Sequence, residues 1–189
     1  LSRPTRVGGT HDIMRETIAR LEQKAGPREG MFEDIRHLLT CPDSEFGEVK
    51  ACARSTTDRI FGSEVYVSGL LAFSNICRND CTYCGLRVSN TALPRMRLTV
   101  DEIVKAVDRF RETGLDRVFL VSGEDASYTT DDMARVVAHA KSIGFHVTLG
   151  LGELSEAELT VLRDAGCDCF TLKFETTNRD MFCACKPTS

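Results

Sequence analysis

Short apolar runs alternate with amphipathic helical patterns from residue 64 onward, and this alternation limits the fold more than any other feature of the sequence. Each apolar run is short enough for a buried strand, and each pattern between them repeats its apolar residues at helical spacing. Strands that alternate with helices of this length form right-handed βαβ units around a parallel sheet. The predicted strands lie at residues 65–73, 118–121, 145–151 and 169–174.

Helix-start signals separate these strands. Thr99 with Glu102, and Ser155 with Glu158, form the pattern of a capping box. Thr130 is predicted to cap the helix that lies between these two. Each helix is predicted to end at a glycine, because glycine readily adopts the left-handed conformation of a helix C-terminus. These glycines are Gly114, Gly144 and Gly166.

The order of elements favours a barrel over a nucleotide-binding sheet. A Rossmann sheet carries a glycine-rich phosphate loop after its first strand, and this sequence has none at that place. Four strand–helix units match half of a (β/α)8 TIM-type barrel, and a whole barrel typically takes ~250 residues. The chain has 189 residues. The predicted fold class is therefore α/β, a partial barrel of four strand–helix units with an N-terminal helical extension.

Residues 1–62 are predicted to form that helical extension, and residues 63–189 the half-barrel. Apolar residues recur at helical spacing over residues 13–21, until Gly26-Pro27 interrupts the pattern. A second short helix is predicted to end near Cys41-Pro42, and a third to run from Val49 to Ile60.

A half-barrel would expose unpaired strand edges and an apolar inward face. We therefore expect either a piece of a longer protein or a half-barrel that dimerises or aggregates. The chain begins at Leu1 without an initiator methionine, which also predicts that residues precede it.

Charge and composition narrow the class of protein. The net charge of −4 gives no broad basic surface for nucleic acid. No apolar run approaches the ~20 residues that span a bilayer, and the first nine residues lack the apolar core of a signal peptide. Nine cysteines are an odd number and a large one for this length. Without a secretion signal they favour metal binding or redox chemistry in the cytoplasm.

Three cysteines lie in the loop after the first predicted strand, at spacings of four and three residues: Cys77, Cys81 and Cys84. Thiolates hold iron–sulfur clusters, and close spacing lets one loop wrap one face of a [4Fe–4S] cubane. Three thiolates leave one of the four irons without a protein ligand. A small molecule can then chelate that iron.

Two other interpretations of these cysteines stay open on the residues alone. The same spacing is a helical face of buried thiols, although the residues between Cys77 and Cys81 are poor helix formers. Alternatively, the three cysteines belong to a structural zinc site. Such a site has four ligands, and Cys167, Cys169, Cys183 or Cys185 would supply the fourth. Otherwise a structural role is favoured for Cys167 and Cys169, because free cysteines are among the most buried residues, whereas Cys183 and Cys185 have no assigned role.

The CxxxCxxC loop after a first barrel strand resembles the radical SAM superfamily, and within it the HydE-type maturases of [FeFe] hydrogenase. Biotin synthase and methylornithine synthase are related families that normally differ after the third cysteine. The resemblance implies a [4Fe–4S] cluster and S-adenosylmethionine (SAM) as cofactors. The matching segments are residues 74–87, 97–99, 122–125, 147–153 and 175–178.

The resemblance also implies where SAM binds. Ser122, Gly123 and Glu124 would contact its amino group, and Tyr83 would lie near its adenine. An ordinary turn and simple aromatic packing are the structural alternatives.

Lys173 and Glu175 would serve the SAM carboxylate and ribose, from one side of the fourth strand. The family pattern has Arg at position 173 and His at 174, whereas this chain has Lys173 and Phe174, which weakens bidentate recognition of the carboxylate. A mutually satisfied Lys–Glu pair is the alternative.

The function that this resemblance implies is reductive cleavage of SAM to a 5′-deoxyadenosyl radical, in assembly of the [FeFe]-hydrogenase cofactor. The implied partners are a small-molecule or iron-complex substrate, an electron donor such as ferredoxin or flavodoxin, and other hydrogenase maturases. Radical chemistry on an amino acid, biotin-synthase-like sulfur insertion and a non-catalytic iron–sulfur or zinc module are the alternatives.

Overall fold

The computed structural model describes residues 9–22 and 30–187, and the chain divides into two compact units, Leu1–Val65 and Tyr66–Ser189. The predicted helix break at Gly26-Pro27 lies outside the described residues. No helix in the described ranges is both long and apolar enough to cross a bilayer.

The first unit is helical, as its apolar spacing predicts. Its helices are α1 (Gly9–Glu22), α2 (Met31–Leu39) and α3 (Asp43–Phe61). The third begins well before the predicted Val49, because Pro42 occupies its N-cap position with an extended backbone and helix follows at once. Arg20 of α1 donates to the buried Asp34 of α2 at 2.7 Å, which ties these two helices together.

The second unit contains four strand–helix units and confirms the predicted α/β class. Its sheet is parallel in the order β1-β2-β3-β4, as in part of a barrel. The strands are β1 (Gly69–Ser74), β2 (Arg117–Ser122), β3 (His146–Gly150) and β4 (Cys169–Phe170). The helices are α4 (Val100–Glu112), α5 (Thr130–Ser142), α6 (Glu156–Asp164) and α7 (Arg179–Cys185).

The two faces of the sheet have different surroundings. Val118, Leu120, Val147 and Leu149 point to one side and are buried in a core with apolar residues of α4, α5 and α6. The residues that alternate with them, such as Phe119 and Val121, line a cavity on the other side. The helices therefore cover one face, and the other face is left to form a site.

The ends of the strands differ from the sequence prediction in two places. The first strand begins at Gly69, and Val65 and Tyr66 are exposed outside it. The fourth strand ends at Phe170 instead of residue 174. Its neighbour β3 ends at Gly150, and the last bond between them runs from Thr171 N to Leu149 O at 2.8 Å. A strand cannot continue its ladder past the end of its partner.

The capping boxes are confirmed at Thr99 with Glu102 and at Ser155 with Glu158. The prediction for α5 was wrong by one residue. Thr129 is the cap, because Asp132 three residues later returns the reciprocal bond, and Thr130 is the first helical residue.

Candidate active site

The loop between β1 and α4 carries the three spaced cysteines. It leaves the carboxyl end of β1 at Ser74, and the turns after β2, β3 and β4 meet the same edge of the sheet. Cys81 is buried, whereas Cys77 and Cys84 are half-buried. Functional groups of barrel proteins lie at this carboxyl edge.

The turn after β2 packs directly against the cysteine loop. Gly123 N donates to Ser74 O at 3.1 Å, and Arg78 N donates to Glu124 O at 3.1 Å. A Cβ at Gly123 would collide with the Ile76 carbonyl oxygen and approach Cys77 Cβ to 2.8 Å. Only glycine fits there, so the turn and the first cysteine keep a fixed separation.

Asp125 joins the start of the cysteine loop to its end. Arg97 donates to both carboxylate oxygens of Asp125, at 2.6 and 2.7 Å, and Ser74 Oγ donates to Oδ2 at 2.7 Å. The Asp125 side chain is only 2% exposed. Burial would raise the pKa of Asp125, but the bonds from Arg97 and Ser74 outweigh it and lower this pKa to about 2. Sequence reasoning gave this network no role.

Lys186 is a site residue that sequence reasoning missed. Its ammonium pairs with Glu153 and lies 4.0 Å from Glu124, and the residue is 7% exposed. Burial lowers the pKa of Lys186, but the bond to Glu153 outweighs burial and the net shift is upward. Arg78 Nε also donates to Glu124, at 3.0 Å. Glu124 therefore faces two cations, neither of which a local motif signals.

The last helix returns to the cysteine loop. Thr82 N donates to Cys185 O, at the carboxyl end of α7, over 2.9 Å. Thr82 lies between two cysteines of the triad, so α7 contacts the loop from the far end of the described chain. Cys185 is half-buried and Cys183 is exposed.

The predicted alternation of Lys173 and Glu175 on a strand was wrong. Both residues follow the end of β4 and are exposed, and Glu175 has a positive φ of 60°. Among the described residues, no ion pair joins Lys173 to Glu175.

Glu175 instead lies near Tyr83. Burial raises the pKa of the Tyr83 hydroxyl, and the neighbouring Cys81 and Glu175 raise it further. Tyr83 as a whole is 53% exposed, and it lines the cavity described next.

One cavity of about 480 Å³ connects these groups, a usual size for a small-molecule site. Lys186 and Glu153 contribute to its wall. Nine further wall residues are those that the sequence predicted: Cys77, Cys81, Cys84, Tyr83, Ser122, Gly123, Glu124, Lys173 and Glu175.

The donor set of this cavity fits a cubane cluster with one open iron. The cysteines on its wall, within the described chain, are the three of the triad. Three thiols on one wrapping loop match the ligation of three irons, and the adjoining space is available to a chelating molecule. Over the residues that the structure describes, no three His, Cys, Asp or Glu side chains gather around a point suited to a single metal ion.

A parallel sheet of strand–helix units, with a three-cysteine loop and a ligand-sized cavity at its carboxyl edge, defines a barrel-type α/β protein with a thiol-lined site. The family model of the radical SAM superfamily matches residues 71–188. The chain belongs to the radical SAM superfamily, whose members are enzymes. That family implies a [4Fe–4S] cluster and SAM.

Individual relatives agree with this assignment. The chain is 35% identical to the [FeFe] hydrogenase maturase subunit HydE of Thermotoga maritima over 165 residues, 87% of this chain and 46% of the relative. It is 28% identical to 3-methylornithine synthase of Methanosarcina barkeri over 155 residues, 79% of this chain and 43% of the relative. The chain thus spans about half the length of the curated relatives it matches.

The fold also matches a solved structure. The crystal structure of HydG, a maturase of the [FeFe]-hydrogenase, superposes with a TM-score of 0.81 at 24% identity. The match covers 96% of this chain and 41% of that one. At this identity the likeness shows the fold alone.

Proposed function

We propose that Cys77, Cys81 and Cys84 hold a [4Fe–4S] cluster and that the chain serves reductive cleavage of SAM. The observation that supports this most is that the triad supplies every cysteine on the described wall of one ligand-sized cavity. When bound, such a cluster would deliver one electron to the sulfonium of SAM and so give methionine and a 5′-deoxyadenosyl radical. An electron donor such as ferredoxin or flavodoxin is the proposed source of that electron.

The charges of the cavity suit the methionine end of SAM. We assign the amino group of SAM to Ser122, Gly123 and Glu124, where the turn backbone offers acceptors to an ammonium and the Glu124 carboxylate would be shared between that ammonium, Arg78 and Lys186. Lys173 supplies a cation for the SAM carboxylate. A lysine offers a point charge in place of the planar fork of arginine, so this contact is not bidentate.

The nucleoside end of SAM is assigned to Glu175 and Tyr83. Glu175 would accept hydrogen bonds from ribose hydroxyls, and Tyr83, 53% exposed on the cavity wall, offers an aromatic ring on which adenine can stack. Glu175 and Tyr83 lie near each other on that wall.

For the biological role, we propose HydE-like assembly of the [FeFe]-hydrogenase cofactor, with a small iron complex as substrate and other maturases as partners. The 35% identity to HydE over most of this chain supports it. Radical chemistry on an amino acid is the second candidate, supported by the 28% identity to 3-methylornithine synthase.

The test is anaerobic reconstitution of the full chain with iron and sulfide, followed by assays for bound iron and for 5′-deoxyadenosine. Cys77→Ala, Cys81→Ala and Cys84→Ala should each abolish SAM cleavage and leave the circular dichroism spectrum unchanged. Cys183→Ala is the matched control, because this exposed cysteine is outside the cavity wall. A triad variant that still releases 5′-deoxyadenosine would show that the three-ligand assignment is wrong.

The same samples separate the enzyme from a non-catalytic module. An EPR signal of the reduced cluster that changes when SAM is added supports the enzyme. A colourless protein that retains zinc and ignores SAM supports the module instead.

A further inference from the structure

The guanidinium of Arg95 donates hydrogen bonds to four backbone carbonyls of the cysteine loop. Its Nη1 donates to Asn75 O at 2.7 Å and to Leu86 O at 2.8 Å. Its Nη2 donates to Arg87 O at 2.7 Å and to Asn90 O at 3.1 Å. None of these acceptors is a side chain, so Arg95 constrains the backbone conformation of the cysteine loop.

The four carbonyls come from both ends of the triad. Asn75 lies two residues before Cys77, and Leu86 lies two residues after Cys84. A single rigid group therefore bridges the point where the chain enters the cysteine segment and the point where it leaves. The distance between these points sets how widely the segment opens.

Arg95 is itself held in position by the Asn75 side chain. Met96 N donates to Asn75 Oδ1 at 2.7 Å, and Asn75 Nδ2 donates to Pro94 O at 2.9 Å. Asn75 N donates in return to Met96 O at 3.2 Å. The residues on both sides of Arg95 are thus paired with Asn75, and the guanidinium reaches across to the far end of the loop.

Arginine suits this task for a geometric reason. Its guanidinium is planar and presents five donors in a fixed fork, so that two nitrogens can each serve two acceptors in different directions. A lysine ammonium is a compact charge at the end of a flexible stem and cannot reach four separated carbonyls at once.

We propose that Arg95 is a positioning residue that holds the cysteine loop closed, so that the three thiols keep the spacing that a cluster requires. The proposal rests on the proposed function, in which the triad binds a cluster. Arg95 touches no cysteine sulfur in this assignment and acts through the backbone at either end of the triad. Without it, the loop opens and the cluster is captured less often and lost sooner.

The experiment compares Arg95→Lys and Arg95→Ala with the full wild-type chain. After anaerobic reconstitution, both variants should lose their cluster absorbance to an iron chelator at least about tenfold faster than wild type, since a loss of ~1.4 kcal/mol already gives a factor of ten. Arg163→Ala is the matched control, because Arg163 is an exposed arginine on α6 that pairs with its neighbour Asp164. That control should match wild type.

A second measurement needs no cluster. In the metal-free protein, hydrogen exchange of the Val88 and Asn75 amides should accelerate in Arg95→Lys, because those amides bond within the loop to Asn79 O and Met96 O. The urea midpoint of global unfolding should stay close to that of wild type, which separates a loop effect from general destabilisation.

The outcomes are distinguishable. If wild type binds no iron, the proposed function fails while the exchange measurement still reports on Arg95. If Arg95→Lys keeps wild-type chelation and exchange rates, the positioning role is overturned. Should Arg95→Ala fail to fold, the lysine variant alone decides.

Discussion

Asp125 stays charged in a place with almost no solvent because two other parts of the chain donate hydrogen bonds to its carboxylate. Ser74 comes from the end of β1, Arg97 from the approach to α4, and Asp125 itself from the turn after β2. Removing Arg97 would leave the Asp125 carboxylate buried without this partner, so the pair is costly to break from that side. The network therefore fixes where the cysteine loop leaves the sheet and where it returns.

This network predicts a pH-dependent contribution to stability. The pKa of Asp125 is lowered to about 2, so its contribution is complete above the ordinary value of 3.8 and is lost as the pH falls through about 2. Asp125→Asn should lower the free energy of unfolding by about 2 kcal/mol near neutrality, and the gap to wild type should shrink as the pH falls below 3.8 toward 2.

Urea unfolding of both proteins at about pH 6 and about pH 2.5 measures that gap. All other titrating groups are shared by the two proteins, so their effects cancel in the difference. An equal gap at both pH values would contradict the assignment.

Residues that belong to a local pattern could be singled out from the sequence. The triad and the Ser122-Gly123-Glu124 turn were identified from their sequence neighbours, and these residues line one cavity in the structure. Lys186 and Arg95 were not identified, because their roles depend on contacts between segments far apart in the sequence. Their functional assignments, like those of the predicted site residues, stay predictions until measured.

At the scale of elements, the sequence pattern located the helices better than it located the strand ends. Capping boxes and apolar faces are local, so α4 and α6 begin where the pattern predicts. The length of β4 depends on its neighbour β3, which ends at Gly150 and is a separate stretch of sequence. The alternation of Lys173 and Glu175 was predicted from a strand that has no partner over those residues in the described sheet.

The start of α5 can be tested by comparing substitutions at the adjacent residues Thr129 and Thr130. Thr129 accepts a bond from Asp132 N and completes a capping box, whereas Thr130 Oγ1 makes only a long contact of 3.4 Å to Glu158. Thr129→Ala should cost ~1 kcal/mol of unfolding free energy. Thr130→Ala should change it by less than ~0.5 kcal/mol.

Urea unfolding monitored by circular dichroism measures both variants under one set of conditions. Equal losses, or a larger loss for Thr130→Ala, would show that the helix begins one residue later than the structure places it.

At the scale of the whole chain, the predicted site residues belong to one of the two compact units. Every predicted site residue lies within Tyr66–Ser189, which also contains the sheet and its buried core. We propose that residues 1–62 form a helical extension and that residues 63–189 form the cluster-binding domain.

Residues 63–189, produced alone, should therefore unfold cooperatively and take up as much iron per chain as the full chain after reconstitution. Iron analysis and thermal unfolding measure these two properties, with the triple alanine variant of the triad as the blank. A shortened chain that folds but takes up no iron would contradict the domain proposal.

The bond from Thr82 to Cys185 links residues 103 positions apart, and this separation has a consequence for synthesis in the cell. A ribosome that adds ~5–20 residues per second makes the cysteine loop about 5–20 s before it makes α7. During that interval the three thiols belong to a nascent chain that lacks α7, the helix whose carboxyl end later accepts the bond from Thr82 N. An oxidant or a metal ion that reaches the triad in this interval meets a loop that has not yet gained its contact with α7.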